Sequence, residues 1–255
     1  IQAYAEDAQE ALDLALMSFY VAEHKDVATP FMANLDGFTL THTYEVVDVP
    51  DAERADEFLP PYETDNKISF DDPKNLGFSA GPDTNTEFKY KEHLGILNAR
   101  RVIKECEDKF FKIFNRKYSG LIETYKTEDA DFVIVTLGTI SGLAKEVVDD
   151  LRDKGQKVGL LRIRYLRPFP NEEIVEALKN VKAIGVLEKD ISFGNEGTVY
   201  TIVNSALHKA KLDVVSSNYI AGLGGRNIEK HQIEDIFTRL QSLNHEIVFV
   251  GLKEE

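Results

Sequence analysis

Three glycine-rich turns are the residues of this chain best placed to do chemistry. Leu137-Gly138-Thr139-Ile140-Ser141-Gly142, Ser192-Phe193-Gly194-Asn195-Glu196-Gly197 and Ala221-Gly222-Leu223-Gly224-Gly225-Arg226-Asn227 each separate a strand-like run from a helical pattern. The first amides of a helix have no partner inside it, so the first of these turns can hold an anion on free N–H groups. The first turn is not a nucleophile elbow, because G-x-S-x-G is required and this one reads G-T-I-S-G, with the serine one place late. Nor does the sequence contain the G-x-G-x-x-G fingerprint of dinucleotide binding. For the first turn, packing or helix opening is favoured over anion binding. In the third, three glycines grant close backbone approach and Asn227 is a plausible N-cap.

Charged and metal-ligating residues narrow the chemistry further. Arg162, Arg164 and Arg167 alternate along the end of an apolar run; they form either an anion clamp or, in so acidic a chain, ion pairs with local Asp and Glu. The second reading is favoured. The six histidines are scattered, without H-E-x-x-H or an i+4 partner, so no metal site is expected. The single cysteine, Cys106, cannot hold an iron–sulfur cluster or a structural zinc, and its place in a helical pattern reads as a small core residue. Any electron-transfer cluster is expected on another chain.

The elements that must position these residues follow from periodicity. Of 255 residues 43% are hydrophobic and 29% charged, enough for one large core or two modest ones. The formal charge of −14 disfavours nucleic acid and anionic membranes as partners. No run of eighteen apolar residues exists, and the opening IQAYAEDAQEALDLAL has neither a basic nor an apolar leader segment, so a cytoplasmic protein is expected. The start at Ile1 rather than Met suggests a fragment or a processed product.

Helical spacing predicts a helix over about 7–24, with Asp7 and Glu10 as a capping pair, then a short buried strand at 29–34, at a sheet edge or in the core, closed by Asp36-Gly37. From about 47 to 90 the pattern dissolves into acidic and turn residues, and this stretch is read as an extended arm. Phe58, Leu59, Tyr62, Phe70 and Phe78 are more apolar content than a solvated linker requires, so the arm is expected to pack across its own domains and onto a neighbouring subunit. A long amphipathic helix is expected over 91–118. Thereafter strands at 132–137, 158–163, 183–187, 213–220 and 246–250 alternate with helices at 140–154, 172–179, 198–209 and 229–243. Parallel neighbours need crossover connections, so this pattern implies a doubly wound, mainly parallel sheet covered on both faces.

In that order, FVIVTLGTISG, LLRIRYLRPFP, GVLEKDISFGNEG and IAGLGGRNI resemble the transketolase C-terminal-like domain of pyruvate and other 2-oxoacid:ferredoxin oxidoreductases. Upstream, IQAYAEDAQEALDLAL and FMANLDGFTLTH resemble the end of the pyrimidine-binding domain that precedes it in the α-type subunit. The resemblance implies an α/β chain with four parts: the end of a pyrimidine-binding domain (1–46), an extended arm (47–90), a connecting helix (91–129) and the transketolase C-terminal-like domain (130–255). It implies oxidative decarboxylation of a 2-oxoacid, with pyruvate leading, to an acyl-CoA, electrons passing to ferredoxin. Thiamine diphosphate with Mg²⁺ would be bound mainly by other segments or chains, and iron–sulfur clusters would lie on other chains. Partners would be β-, γ- and δ-type subunits, with ferredoxin reached indirectly, in an oligomer.

The family's cofactor-activating glutamate and substrate-facing threonine and arginine have no match here, so no catalytic residue is assigned and the isolated chain is expected to be inactive. Asp36 and His42 are placed only in the vicinity of the cofactor, and for His42 a structural hydrogen-bonding role is favoured. Gly194, Gly197, Gly222, Gly224, Gly225 and Arg226 are expected to face a partner chain. Two other readings stay open: a nucleotide-binding Rossmann-like domain, disfavoured by the missing fingerprint, and a non-catalytic module that docks subunits.

Overall fold

The structure, a computed structural model, describes residues 1–77 and 79–253. Two sheets organise it. A small sheet has the order β2-β1-β6, from β1 (Gln2–Tyr4), β2 (Met32–Asn34) and β6 (Tyr165–Arg167). β1 pairs parallel with β2 and antiparallel with β6, so the third strand of the N-terminal sheet comes from the middle of the chain. The larger sheet has the order β3-β5-β4-β7-β8-β9, from β3 (Ile122–Tyr125), β4 (Phe132–Thr136), β5 (Val158–Ile163), β7 (Ala183–Glu188), β8 (Val215–Ile220) and β9 (Ile247–Phe249). All its pairings are parallel except β3 against β5.

The buried strands show why this sheet must be covered twice. Along β4, Ile134 packs into one apolar cluster and Val133 and Val135 into another, because successive side chains leave opposite faces. Helices α4 (Ile140–Asp153) and α7 (Lys230–Leu240) close the first face; α5 (Asn171–Leu178) and α6 (Thr198–Lys209) close the second. The doubly wound, mainly parallel α/β fold read from periodicity is therefore observed.

A third core joins α1 (Ala8–Ala22) to α3 (Pro82–Phe114), with Leu14, Met17, Phe110 and Phe114 at its centre. Cys106 lies in this core, and burial pushes its thiol up, away from reactivity. Asp7 caps α1 by accepting from the Glu10 amide at 2.7 Å, as its spacing predicted. Glu10 makes the return bond only as far as the Glu6 amide, at 2.8 Å; the rest of its carboxylate is buried against arginines.

Four expectations are corrected. The arm is not without secondary structure: α2 (Ala52–Phe58) lies in it, capped by Asp51, and α3 begins at Pro82 rather than near 91. The extra turns of α3 are exposed all round, so they carry no apolar stripe; Pro82 at the first helical position was their signal. Arm packing within the chain stops at Leu59: Phe58 is fully buried against Phe110 and Phe114, whereas Tyr62, Ile68 and Phe70 are exposed and Phe78 lies outside the described residues. The strand at 29–34 shrinks to Met32–Asn34 with Met32 exposed rather than buried, and of the two places open to it takes the sheet edge.

Candidate functional site

The candidate site is a cleft of about 540 Å³ between the two sheets. Its floor is the carboxyl ends of β4 and β7, with Leu137-Gly138 following one strand and Glu188, Lys189 and Asp190 ending or following the other. Gln2 and Tyr4 of β1, Arg167 of β6 and the Asn34–Asp36 turn after β2 close the other side.

Two carboxylates of the chain occupy the helix openings that face this cleft. Asp36 accepts from the Thr139 amide at 3.1 Å and from the Thr139 hydroxyl, at the N-terminus of α4, and Lys189 Nζ lies 3.2 Å from the same oxygen. Glu188 accepts from the amides of Val199 (2.8 Å) and Tyr200 (3.1 Å), at the N-terminus of α6, and from Asn218 Nδ2 (2.8 Å). Burial raises the Glu188 carboxyl above its ordinary value, against those hydrogen bonds. Unsatisfied helix amides carry partial positive charge, which is why an acidic side chain settles there. In this cleft the positions where a phosphate would sit are filled by the protein's own carboxylates.

Asp36 is thus in the cleft, as part of a junction between the sheets. Asp36→Ala is expected to cost about 1 kcal/mol through loss of the cap, read as faster hydrogen exchange at the Thr139–Ser141 amides; unchanged exchange there would contradict the assignment. His42 does not line the cleft: it stacks on Phe38 at 5.4 Å and shares a 2.8 Å hydrogen bond with Thr41 Oγ1 on an exposed turn.

The glycines divide by location. Gly194 sits exposed at φ +83°, on the turn that ends in Gly197, whose amide donates to Asn218 Oδ1 at 2.7 Å. Gly225 lies under the Phe38 ring, where a Cβ would meet ring carbon at 2.7 Å, so the Asp36-Gly37-Phe38 turn and the third glycine turn pack on each other. Gly222 backs onto Lys189 and Ile228, Gly224 faces open space, and Arg226 donates to the Gly251 carbonyl at 2.7 Å.

Arg162 and Arg164 form ion pairs, as favoured. Arg162 meets Glu6 (2.8 Å), Glu123 (3.0 Å) and Glu10; Arg164 meets Glu10 (2.8 Å) and Glu107 (2.6 Å). Arg167 forms no such pair among the described residues. Sequence reasoning missed Glu188 and Tyr4. The signal for Glu188 was an acid ending a buried apolar run just ahead of a glycine turn and a helix.

The diphosphate–metal end of a thiamine cofactor does not fit this cleft. Asp36, Glu188 and Asp190 line it, both helix openings are taken, and among the described residues no group of three His, Cys, Asp or Glu side chains is placed to hold a metal.

Two sequence families match the chain in order. Residues 1–108 match the thiamine-diphosphate-binding domain of pyruvate flavodoxin/ferredoxin oxidoreductase, and residues 130–233 match core domain II of pyruvate:ferredoxin oxidoreductase. The chain belongs to the α-subunit family of 2-oxoacid:ferredoxin oxidoreductases. It is 40% identical over 255 residues to the pyruvate synthase subunit PorA of Methanothermobacter thermautotrophicus, covering all of this chain and 65% of that one. It is 40% identical over 237 residues to the ketoisovalerate oxidoreductase subunit VorA of Pyrococcus horikoshii, covering 92% of this chain and 60% of that subunit. The chain therefore spans about two thirds of the length of these α-subunit relatives. In fold it is similar to the 2-oxoglutarate:ferredoxin oxidoreductase of Magnetococcus marinus, with a TM-score of 0.55 at 15% identity over 95% of this chain and 42% of that one. Among the described residues no helix of this family member is long and apolar enough to cross a membrane.

Proposed function

We propose that this chain forms one wall of a thiamine-diphosphate-dependent 2-oxoacid:ferredoxin oxidoreductase, which converts a 2-oxoacid, pyruvate first, to its acyl-CoA and passes the electrons to ferredoxin. The ordered match of the two family sequences across residues 1–108 and 130–233 carries this reading. The nucleotide-binding alternative loses ground on geometry, because Asp36 and Glu188 fill the helix openings a phosphate would need.

In the assembled enzyme, thiamine diphosphate and its Mg²⁺ are held mainly by other segments or chains, with Asp36 and His42 in their vicinity. Iron–sulfur clusters reside on other chains, and the partners are β-, γ- and δ-type subunits in a cytoplasmic oligomer. The turns bearing Gly194, Gly197, Gly222, Gly224, Gly225 and Arg226 face a partner, and the exposed Tyr62, Ile68 and Phe70 of the arm rest on a neighbouring subunit. The division at 46 and 129 separates the pyrimidine-binding end, the arm with the connecting helix α3 that begins at Pro82, and the transketolase C-terminal-like domain.

The test is the full-length chain assembled with its partner chains: pyruvate and CoA are expected to support ferredoxin reduction. An assembly that contains the cofactor yet turns over neither pyruvate, 2-oxoglutarate nor branched 2-oxoacids defeats the proposal. The 255 residues alone are expected to bind thiamine diphosphate more weakly than micromolar, and tighter binding by calorimetry would contradict that placement of the cofactor.

A further inference from the structure

Sheet topology and an unpaired arginine coincide at one place. The parallel strands lie in the order β5-β4-β7-β8-β9, so the chain leaves β4 toward β5 on one side and then crosses to β7 on the other. Where strand order reverses, the connecting helices depart on opposite faces and a crevice opens outside the carboxyl ends of the two strands. The 540 Å³ cleft is that crevice, and its volume suits a small organic ligand.

Most charges around the cleft are already spent. Asp36 is held by Thr139 and Lys189, and Glu188 by the opening of α6 and Asn218. Arg167 is different: it donates Nη1 to the Leu166 carbonyl at 2.6 Å and has no salt bridge to any carboxylate among the described residues. It is half-buried in the wall, in register with Gln2 of β1, and its charge reaches the Tyr4 hydroxyl. Leu166, Leu187 and Ile228 line the same cleft with apolar side chains.

We propose that this cleft binds a small organic acid, its carboxylate taken by Arg167 and its short aliphatic body laid against Leu166, Leu187 and Ile228. A guanidinium presents paired N–H donors that match a carboxylate edge, and partial burial strengthens such a charge-assisted contact. Phosphate esters are disfavoured, because both helix openings are filled and a dianion would be repelled more strongly by Asp190. Asp190 is exposed, forms no salt bridge among the described residues and lines the same cleft, so it opposes even a monoanion.

The experiment uses the full-length chain in its native assembly, with butyrate as the probe and calorimetry or saturation-transfer NMR as the readout. Arg167→Gln is expected to weaken butyrate binding at least tenfold and Arg167→Lys less. Asp190→Asn is expected to tighten it several-fold, and the remote Arg101→Gln to leave it unchanged. Unchanged affinity in Arg167→Gln, equal loss in Arg101→Gln, or weaker binding in Asp190→Asn overturns the proposal; the last would mean that a cationic group is recognised. Should Arg167→Gln fail to assemble, the exposed Asp190→Asn still decides. Binding is read without turnover, so failure of the catalytic reading leaves this test standing.

Discussion

Replacing Arg164 by Met is expected to destabilise the protein by about 3–5 kcal/mol, because it leaves buried carboxylates without their counter-charge. Arg164 is 2% exposed, Glu10 3% and Glu107 6%. Its guanidinium donates to Glu10 at 2.8 Å, to Glu107 at 2.6 Å and to the Gly120 carbonyl, and so ties α1, α3 and the end of β5 together. Burial alone would raise the Glu10 carboxyl, but the charges of Arg164 and Arg162 outweigh it and hold it below its ordinary value of 4.5.

The sign of the pH dependence follows. A carboxyl lowered in the folded state contributes stability that is present above its unfolded value and lost as pH falls through the folded one. Wild type is therefore expected to lose stability below about pH 4.5, and Arg164→Met to show a shallower decline there. Denaturant unfolding of the full-length protein measures both quantities. A loss under about 1 kcal/mol, or parallel pH profiles, would sink the claim that this network holds the N-terminal elements to the larger sheet. Arg164→Met combined with Glu107→Gln is expected to lose less than the sum of the two single changes, since it removes both charges of one pair.

The second large effect is expected at Gly197. Its backbone, at φ −70° and ψ 149°, suits any residue, so no conformational freedom is at stake. Space is the constraint, because a Cβ there would fall inside the Glu188 carboxylate. Gly197→Ala must push Glu188 off the Val199 and Tyr200 amides or shift the first turn of α6, and about 2–3 kcal/mol is expected from that overpacking and the bonds it breaks. Hydrogen exchange at Val199 and Tyr200 should rise sharply. Adding Glu188→Ala removes the obstructing group, so the double variant should be less damaged than Gly197→Ala plus Glu188→Ala taken separately; strict additivity would refute the steric account.

Much of the larger domain was legible because its strands are buried on both faces. FVIVTL, VGLLRI and AIGVL stand out as apolar runs, and the helices between them carry apolar stripes at helical spacing. Elements that bury little left little trace. β3 is a four-residue edge strand, and β1 and β6 are three residues each; all three are defined by what they pair with. The first turns of α3 are exposed all round and show no periodicity. The arm shows the converse error: Phe58 and Tyr62 look equally apolar in sequence, yet only Phe58 meets the α1–α3 core.

The chain's own sequence determined the glycine turns and the acids near the cleft, and the trio of arginines of which Arg167 reaches it, because local backbone geometry and strand ends are written in neighbouring residues. Which of those arginines would be left over was a matter of tertiary structure alone. Glu10 and Glu107, which pair with Arg164, lie 154 and 57 residues away from it, and Asp36 reaches Thr139 across 103. Charge pairing in a buried site depends on distances of a few ångströms between segments, and no spacing along the chain encodes them.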